Sequence, residues 1–160
     1  MGLIVQKFGG PSVANAERLR NVAQIIADPY RQGNRVVAVL SAQGDTTDDL
    51  IEKAREINPN ASRREMDMLL STGEQISISL CAMAIEAMGY QVISLTGWQV
   101  GMNTDAHYSS ARIKRINTER IQAELDKKKI VLVAGFQGIN KYDDITTLGR
   151  GGSIQPTPAM

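Results

Sequence analysis

Cysteine occurs once in the 160 residues, which excludes a disulfide within the chain. That residue, Cys81, stands among Leu80, Ala82, Met83 and Ala84, an apolar setting that reads as core and not as a ligand. Histidine is equally scarce. His107 lies in the polar stretch Thr104-Asp105-Ala106-His107-Tyr108 with no Cys or His cluster beside it, and is expected to be structural or solvent-facing. Charge of one sign is missing too: 18 Lys and Arg face 17 Asp and Glu, a net charge of +1. The basic residues are spread along the chain, which argues against a nucleic-acid partner. No apolar run is long enough to cross a bilayer and no leader stands at Met1-Gly2-Leu3, so a cytoplasmic protein without membrane contact is expected. Gly2 does not alter this, because myristoylation calls for Ser or Thr where the chain has Gln6. Repeats, low-complexity tracts and interdomain linkers are absent. The 42% hydrophobic content suits one domain with a sizeable core.

What is present alternates between strand and helix patterns. Leu3 to Phe8 and Val36 to Leu40 are short, β-branched runs bounded by turn residues and read as buried strands. Between them Leu19, Val22, Ala23 and Ile26 recur at helical spacing until Asp28-Pro29. A helix over 48–57 places Leu50, Ile51, Ala54 and Ile57 on one face. Ser62 and Glu65 form a capping box that opens the longest helix, whose face of Met66, Leu69, Leu70, Gly73, Ile76, Leu80, Ala84 and Met88 runs to Gly89, with its methionines as core filler. Strands are expected at 91–95 and 130–136, with a helix at 118–128 whose closing Lys127-Lys128-Lys129 complements its last carbonyls. Residues 109–116 read as a short peripheral strand and 135–148 as a hairpin around Lys141-Tyr142-Asp143-Asp144. This pattern predicts an α/β fold, three layers around a mainly parallel sheet. Gly9-Gly10, Ser41 to Thr47, Gly97 and Gly135 then gather at the carboxyl edge of the strands, where ligands of such sheets bind.

The first of those loops carries the clearest chemistry. Val5-Gln6-Lys7-Phe8-Gly9-Gly10-Pro11-Ser12-Val13 ends an apolar run in a lysine, two glycines and a hydroxyl, an order that suits phosphate. Glu74 follows Ser71-Thr72-Gly73 inside an otherwise apolar helix, where a buried carboxylate needs a cationic partner. Asp45, Asp48 and Asp49 stand at a helix start and read as capping residues, not as metal ligands.

Four blocks carry a resemblance: the lysine-glycine segment, Val36 to Leu50, Arg64 to Gln75, and Leu148-Gly149-Arg150-Gly151-Gly152-Ser153. In this order and spacing the chain resembles the amino-terminal part of the bacterial aspartokinases, members of the amino-acid kinase family, over residues 2–153. The resemblance implies transfer of the γ-phosphoryl group of ATP, taken with Mg, to the side-chain carboxylate of L-aspartate, opening the route to lysine, threonine and methionine. It assigns Lys7 to charge neutralisation at the transferred group, and Lys7, Phe8, Gly9 and Gly10 to the nucleotide phosphates. Thr47, Glu74 and Arg150 are assigned to aspartate, supported by Ser12, Ser41, Gly151, Gly152 and Ser153. Arg150 suits a bidentate carboxylate clamp and Glu74 an ammonium.

The chain departs from the family pattern at Pro11, where threonine is usual, at Gln43, where methionine is usual, and at Ile154, where an aspartate is usual. Residues 154–160, with Pro156 and Pro158, are expected to be a tail foreign to the family, and 1–153 an amino-terminal portion of the kinase domain without most of the adenine and ribose pocket. Weak ligand binding, little catalysis in isolation and self-association through exposed apolar surface are therefore expected. A related kinase with another acidic substrate, or a non-catalytic module that pairs with a partner, remain as alternatives.

Overall fold

The computed structural model describes residues 2–149. Arg150, Gly151, Gly152, Ser153 and the tail at 154–160 lie outside the described residues. In chain order the elements are β1 (Leu3–Phe8), α1 (Ala16–Arg31), β2 (Arg35–Leu40), α2 (Thr46–Ile57), α3 (Arg63–Leu70), α4 (Thr72–Ala87), β3 (Val92–Leu95), β4 (Met102–Thr104), β5 (Ile113–Ile116), α5 (Glu119–Asp126), β6 (Ile130–Ala134), β7 (Gln137–Ile139) and β8 (Ile145–Thr147).

β1, β2, β6 and β3 form a parallel sheet in the order β1-β2-β6-β3. Alternation along β2 and β6 divides the core. Val36, Ala38, Leu40, Ile130, Leu132 and Ala134 join a cluster with α1 and α4 residues, while Val37, Val131 and Val133 pack with Ile121 and Leu125 of α5. The three layers expected of an α/β chain are thus in place. A second, mixed sheet of order β5-β4-β7-β8 stands beside them, with β7 and β8 forming the expected antiparallel hairpin.

Several elements differ from expectation, each for a physical reason. β1 is an edge strand and alternates between half-buried and exposed positions, leaving Leu3 and Val5 on the surface. α1 continues through Pro29 to Arg31. Proline there removes the N–H that would satisfy the Ile25 carbonyl, and Gln6 Nε2 of β1 donates to that carbonyl instead, at 3.4 Å. Residues 109–112 are not strand, and β5 begins only at Ile113. β6 stops at Ala134 because Gly135 and the left-handed Phe136 (φ 66°) turn the chain toward β7. Ile57 of α2 is exposed.

The long helix expected from Ser62 to Gly89 is two helices meeting at Ser71. The Ser71 hydroxyl donates to the Met68 carbonyl (2.9 Å) and the Thr72 hydroxyl to the Leu69 carbonyl (2.7 Å), a local competition with the helix ladder that favours a joint. Of the expected capping box the Ser62 arm forms, its hydroxyl accepting from Glu65 N–H, while the Glu65 carboxylate pairs with Arg64 at 2.6 Å. α4 buries Gly73, Glu74, Ser77, Ile78, Cys81 and Ile85, whereas Ile76, Leu80 and the methionines Met68 and Met83 are exposed. By length and composition 63–87 would also suffice to cross a bilayer, contrary to the sequence reading. Its buried face lies against the sheet and α1 and contains a carboxylate, as befits a core helix. Cys81 is fully buried, and that burial pushes its thiol up to about 12.

Candidate active site

Three loops meet at the carboxyl edge of the parallel sheet. The Ser41 N–H donates to the Phe8 carbonyl (3.1 Å), Gly44 N–H to the Gly10 carbonyl (3.2 Å) and Gly135 N–H to the Leu40 carbonyl (3.0 Å). A side chain on Gly10 would stand 3.1 Å from the Ala42 carbonyl oxygen, so glycine here lets the first two loops touch. Gly9 is different. Its backbone is extended (φ −82°), and a Cβ on it would meet nothing nearer than Pro11 Cδ at 3.9 Å. Neither conformation nor protein packing asks for glycine at position 9, and the space in front of it is open.

The two departures at this edge acquire a structural meaning. Pro11 lies in the first turn of the 3-10 segment Gly10–Val13, where a missing N–H costs nothing. Gln43 Nε2 donates to the Val13 carbonyl at 2.9 Å, tying the glycine loop to the turn that leads into α2.

Lys7 is exposed near the end of β1, paired in register with Val39. It makes no ion pair among the described residues. Ser12 is exposed, with its N–H donating to the Gly9 carbonyl. Ser41 and Thr47 are half-buried, the latter in the first turn of α2. Asp48 and Asp49 also occupy that first turn. Asp45 is at the N-cap position, yet its side chain makes no capping bond, contrary to expectation. His107 is exposed and its Nδ1 lies 3.2 Å from the Asp105 carboxylate. Lys127 and Lys129 reach the buried Glu124 carboxylate, at 3.8 and 3.2 Å, so part of the lysine run serves an ion pair besides the helix end.

Glu74 is brought to the same edge from α4. A Cβ on Gly73 would sit 2.9 Å from Ala42 Cβ and 3.7 Å from Thr46 Cγ2, so the missing side chain lets the helix close on the β2–α2 loop. Glu74 is 4% exposed, and its Oε1 has no hydrogen-bond partner among the described residues. Burial pushes its carboxyl up to about 7, against smaller pulls from its own backbone, the Gln137 amide and the Ala42 backbone.

A stability prediction follows from that burial. The unfolded carboxyl gives up its proton near 4.5 and the folded one near 7, so the favourable contribution of the protonated form is whole below 4.5 and lost as pH rises through 7. The loss amounts to about 3 kcal/mol. Glu74→Gln removes this dependence. Urea unfolding should show the variant gaining about 3 kcal/mol over wild type between about pH 4 and about pH 8.

Residues not singled out from sequence hold this arrangement. Gln137, 1% exposed, donates from Nε2 to the Ser71 carbonyl (2.9 Å) and accepts from Gly97 N–H (2.9 Å), linking the helix joint to the loop after β3. Asp67 of α3 accepts from Ser109 and Thr147. Buried polar side chains with several partners are a structural signal, since their neighbours are distant in sequence.

Residues 2–153 match the amino acid kinase family. The chain is 56% identical over its whole length to an aspartokinase of Bacillus sp. (strain MGA3), of which it covers 39%. The structure of an aspartate kinase from Synechocystis superposes with a TM-score of 0.79 at 48% identity, covering 94% of this chain and 24% of that one. Aspartokinase III of E. coli, solved with aspartate and ADP, has the same TM-score at 23% identity over 93% of this chain and 44% of its own, a likeness of fold. The chain therefore spans less than half the length of these relatives.

Proposed function

The chain belongs to the amino acid kinase family, and on that premise we propose that it carries the phosphate- and aspartate-binding part of an aspartate kinase, which phosphorylates the side-chain carboxylate of L-aspartate with Mg-ATP. The observation that carries this reading is Glu74: a buried carboxylate at the strand edge with an oxygen lacking a protein partner. An α-ammonium group supplies the missing cation. Thr47, Ser41 and Ser12, with Arg150, Gly151, Gly152 and Ser153 from the following segment, would orient the two carboxylates. The open space above Gly9 suits a phosphate oxygen received by backbone N–H groups, with Lys7 sharing the charge.

The nucleophile needs no general base, because a carboxyl group with a reference pKa of about 3.9 is ionised at neutral pH. The work left to the protein is alignment and charge neutralisation. Among the described residues no cluster of three His, Cys, Asp or Glu side chains forms a metal site. Mg would arrive with the nucleotide, as part of the substrate.

The test is a chimera in which this chain replaces the matching part of the Bacillus relative. Acyl phosphate trapped as the hydroxamate should form with L-aspartate. Faster turnover of glutamate or N-acetylglutamate would overturn the substrate assignment.

A homo-oligomer is part of the same reading. Ile76, Leu80 and Met83 are 43%, 41% and 59% exposed at helical spacing on α4, an apolar stripe that suits association. Sedimentation should show wild-type chain heavier than monomer and Leu80→Glu shifted toward monomer. An unchanged distribution would remove the stripe from the interface.

A further inference from the structure

Asp67 has no part in the chemistry just proposed, yet it is fully buried. Its Oδ1 accepts from the Thr147 hydroxyl at 2.7 Å and the Ser109 hydroxyl at 3.3 Å. Its Oδ2 accepts from Ser109 N–H at 2.9 Å and Thr147 N–H at 3.0 Å. These bonds use the full acceptor capacity of a carboxylate. None of the donors is cationic. An apolar side chain would fill the position with less desolvation, so what the carboxylate adds is direction.

The elements it joins are α3, which leads to Glu74, and the β8 and Ser109 segments. Ser109 is held in the left-handed region (φ 65°), uncommon for a residue with a side chain. Thr147 ends β8, and the chain continues through Leu148, whose N–H donates to the Phe136 carbonyl, and Gly149, whose N–H donates to the Ala111 carbonyl. The next residues in sequence are Arg150 to Ser153. In the other direction α3 passes through the Ser71 joint into α4 and Glu74.

We propose that Asp67 is a positioning residue that locks α3 to β8 and the Ser109 turn, and so, through the Ser71 joint, holds the Glu74 end of α4 in one place for the amino-acid substrate. The proposal rests on the aspartate reading above. The phosphate loop is held by separate bonds, Gln43 to Val13 and Gly44 to Gly10, so loosening the Asp67 clasp acts on aspartate and spares the nucleotide.

The experiment is calorimetric titration of the Bacillus chimera with L-aspartate and, separately, with Mg-ATP, carrying this chain as wild type, Asp67→Asn, Thr147→Val or Thr147→Ser, with circular dichroism and urea unfolding of each. Thr147→Val keeps the volume and the backbone N–H bond, so it carries the test if Asp67→Asn does not fold. Folded Thr147→Val should bind aspartate roughly tenfold or more weakly, as misplacement of a binding group predicts, with Mg-ATP affinity within about twofold of wild type, and Thr147→Ser should restore aspartate binding. Aspartate affinity within about twofold of wild type in folded Thr147→Val overturns the proposal, as does equal loss of both ligands, which marks a merely structural clasp. A wild-type chimera that binds Mg-ATP but no aspartate overturns the aspartate reading itself, and the positioning role with it.

Discussion

Gly97→Ala is expected to destabilise the chain sharply, with its urea midpoint falling well below that of wild type. An added Cβ would lie 2.2 Å from the Gln137 carbonyl oxygen and 2.7 Å from its carbonyl carbon, with Gln137 Cγ at 2.9 Å. Two of these atoms are backbone, so no rotamer change relieves the overlap. β7 has β4 on one side and β8 on the other, and the Gln137 side chain is committed to Gly97 N–H and the Ser71 carbonyl. Relief requires moving the strand and the helix joint together. Overpacking that displaces backbone in this way costs about 3 kcal/mol or more, a large share of the roughly 5–15 kcal/mol typical of a whole domain. Gly9→Ala is the contrast, since its Cβ would meet only Pro11 Cδ, at an ordinary contact distance of 3.9 Å. Urea unfolding of both variants checks this. A Gly97→Ala midpoint close to that of wild type would show that β7 gives way cheaply.

Lys7→Ala should lower turnover in the Bacillus chimera by about a hundredfold or more while leaving unfolding unchanged. The size comes from the effect of removing one preorganised charge partner from a developing phosphoryl transition state. The neutrality to folding comes from position: Lys7 is exposed near the end of an edge strand and makes no ion pair among the described residues. Hydroxamate trapping with saturating aspartate and Mg-ATP measures the first part, and thermal melting the second. Turnover within about threefold of wild type would assign Lys7 to the surface. Loss of folding would make it a structural residue.

Much of the parallel sheet was legible because β2 and β6 are continuous β-branched runs bounded by turns, the mark of strands buried on both faces. The glycine loop and the β2–α2 turn were legible for a similar reason, since their glycines interrupt apolar runs. The α3–α4 joint was not, because apolar residues continue at helical spacing across Ser71 and the hydroxyl bonds that bend the chain leave no mark on that periodicity. The inward face of α4 was misassigned for a related reason. The helix is apolar nearly all round, so spacing does not orient it, and close approach to the core selects the small residues Gly73, Ser77 and Cys81 over Ile76 and Leu80. The second sheet is built from strands of three or four residues, too short for a period-two signal. Glu74 could be suspected from its apolar neighbours. Asp67 reads as an ordinary helix-surface carboxylate until Ser109 and Thr147 are seen around it.

Titration of the chain with L-aspartate at about pH 6 and about pH 8, with Glu74→Gln beside it, tests the central claim most directly. If the substrate ammonium pairs with Glu74, binding requires the ionised carboxylate, and a group titrating at about 7 makes aspartate bind about tenfold more tightly at the higher pH. Glu74→Gln should bind weakly at both. Equal wild-type affinity at the two pH values, or undiminished binding by Glu74→Gln, would contradict the assignment of this buried carboxylate to the amino-acid substrate.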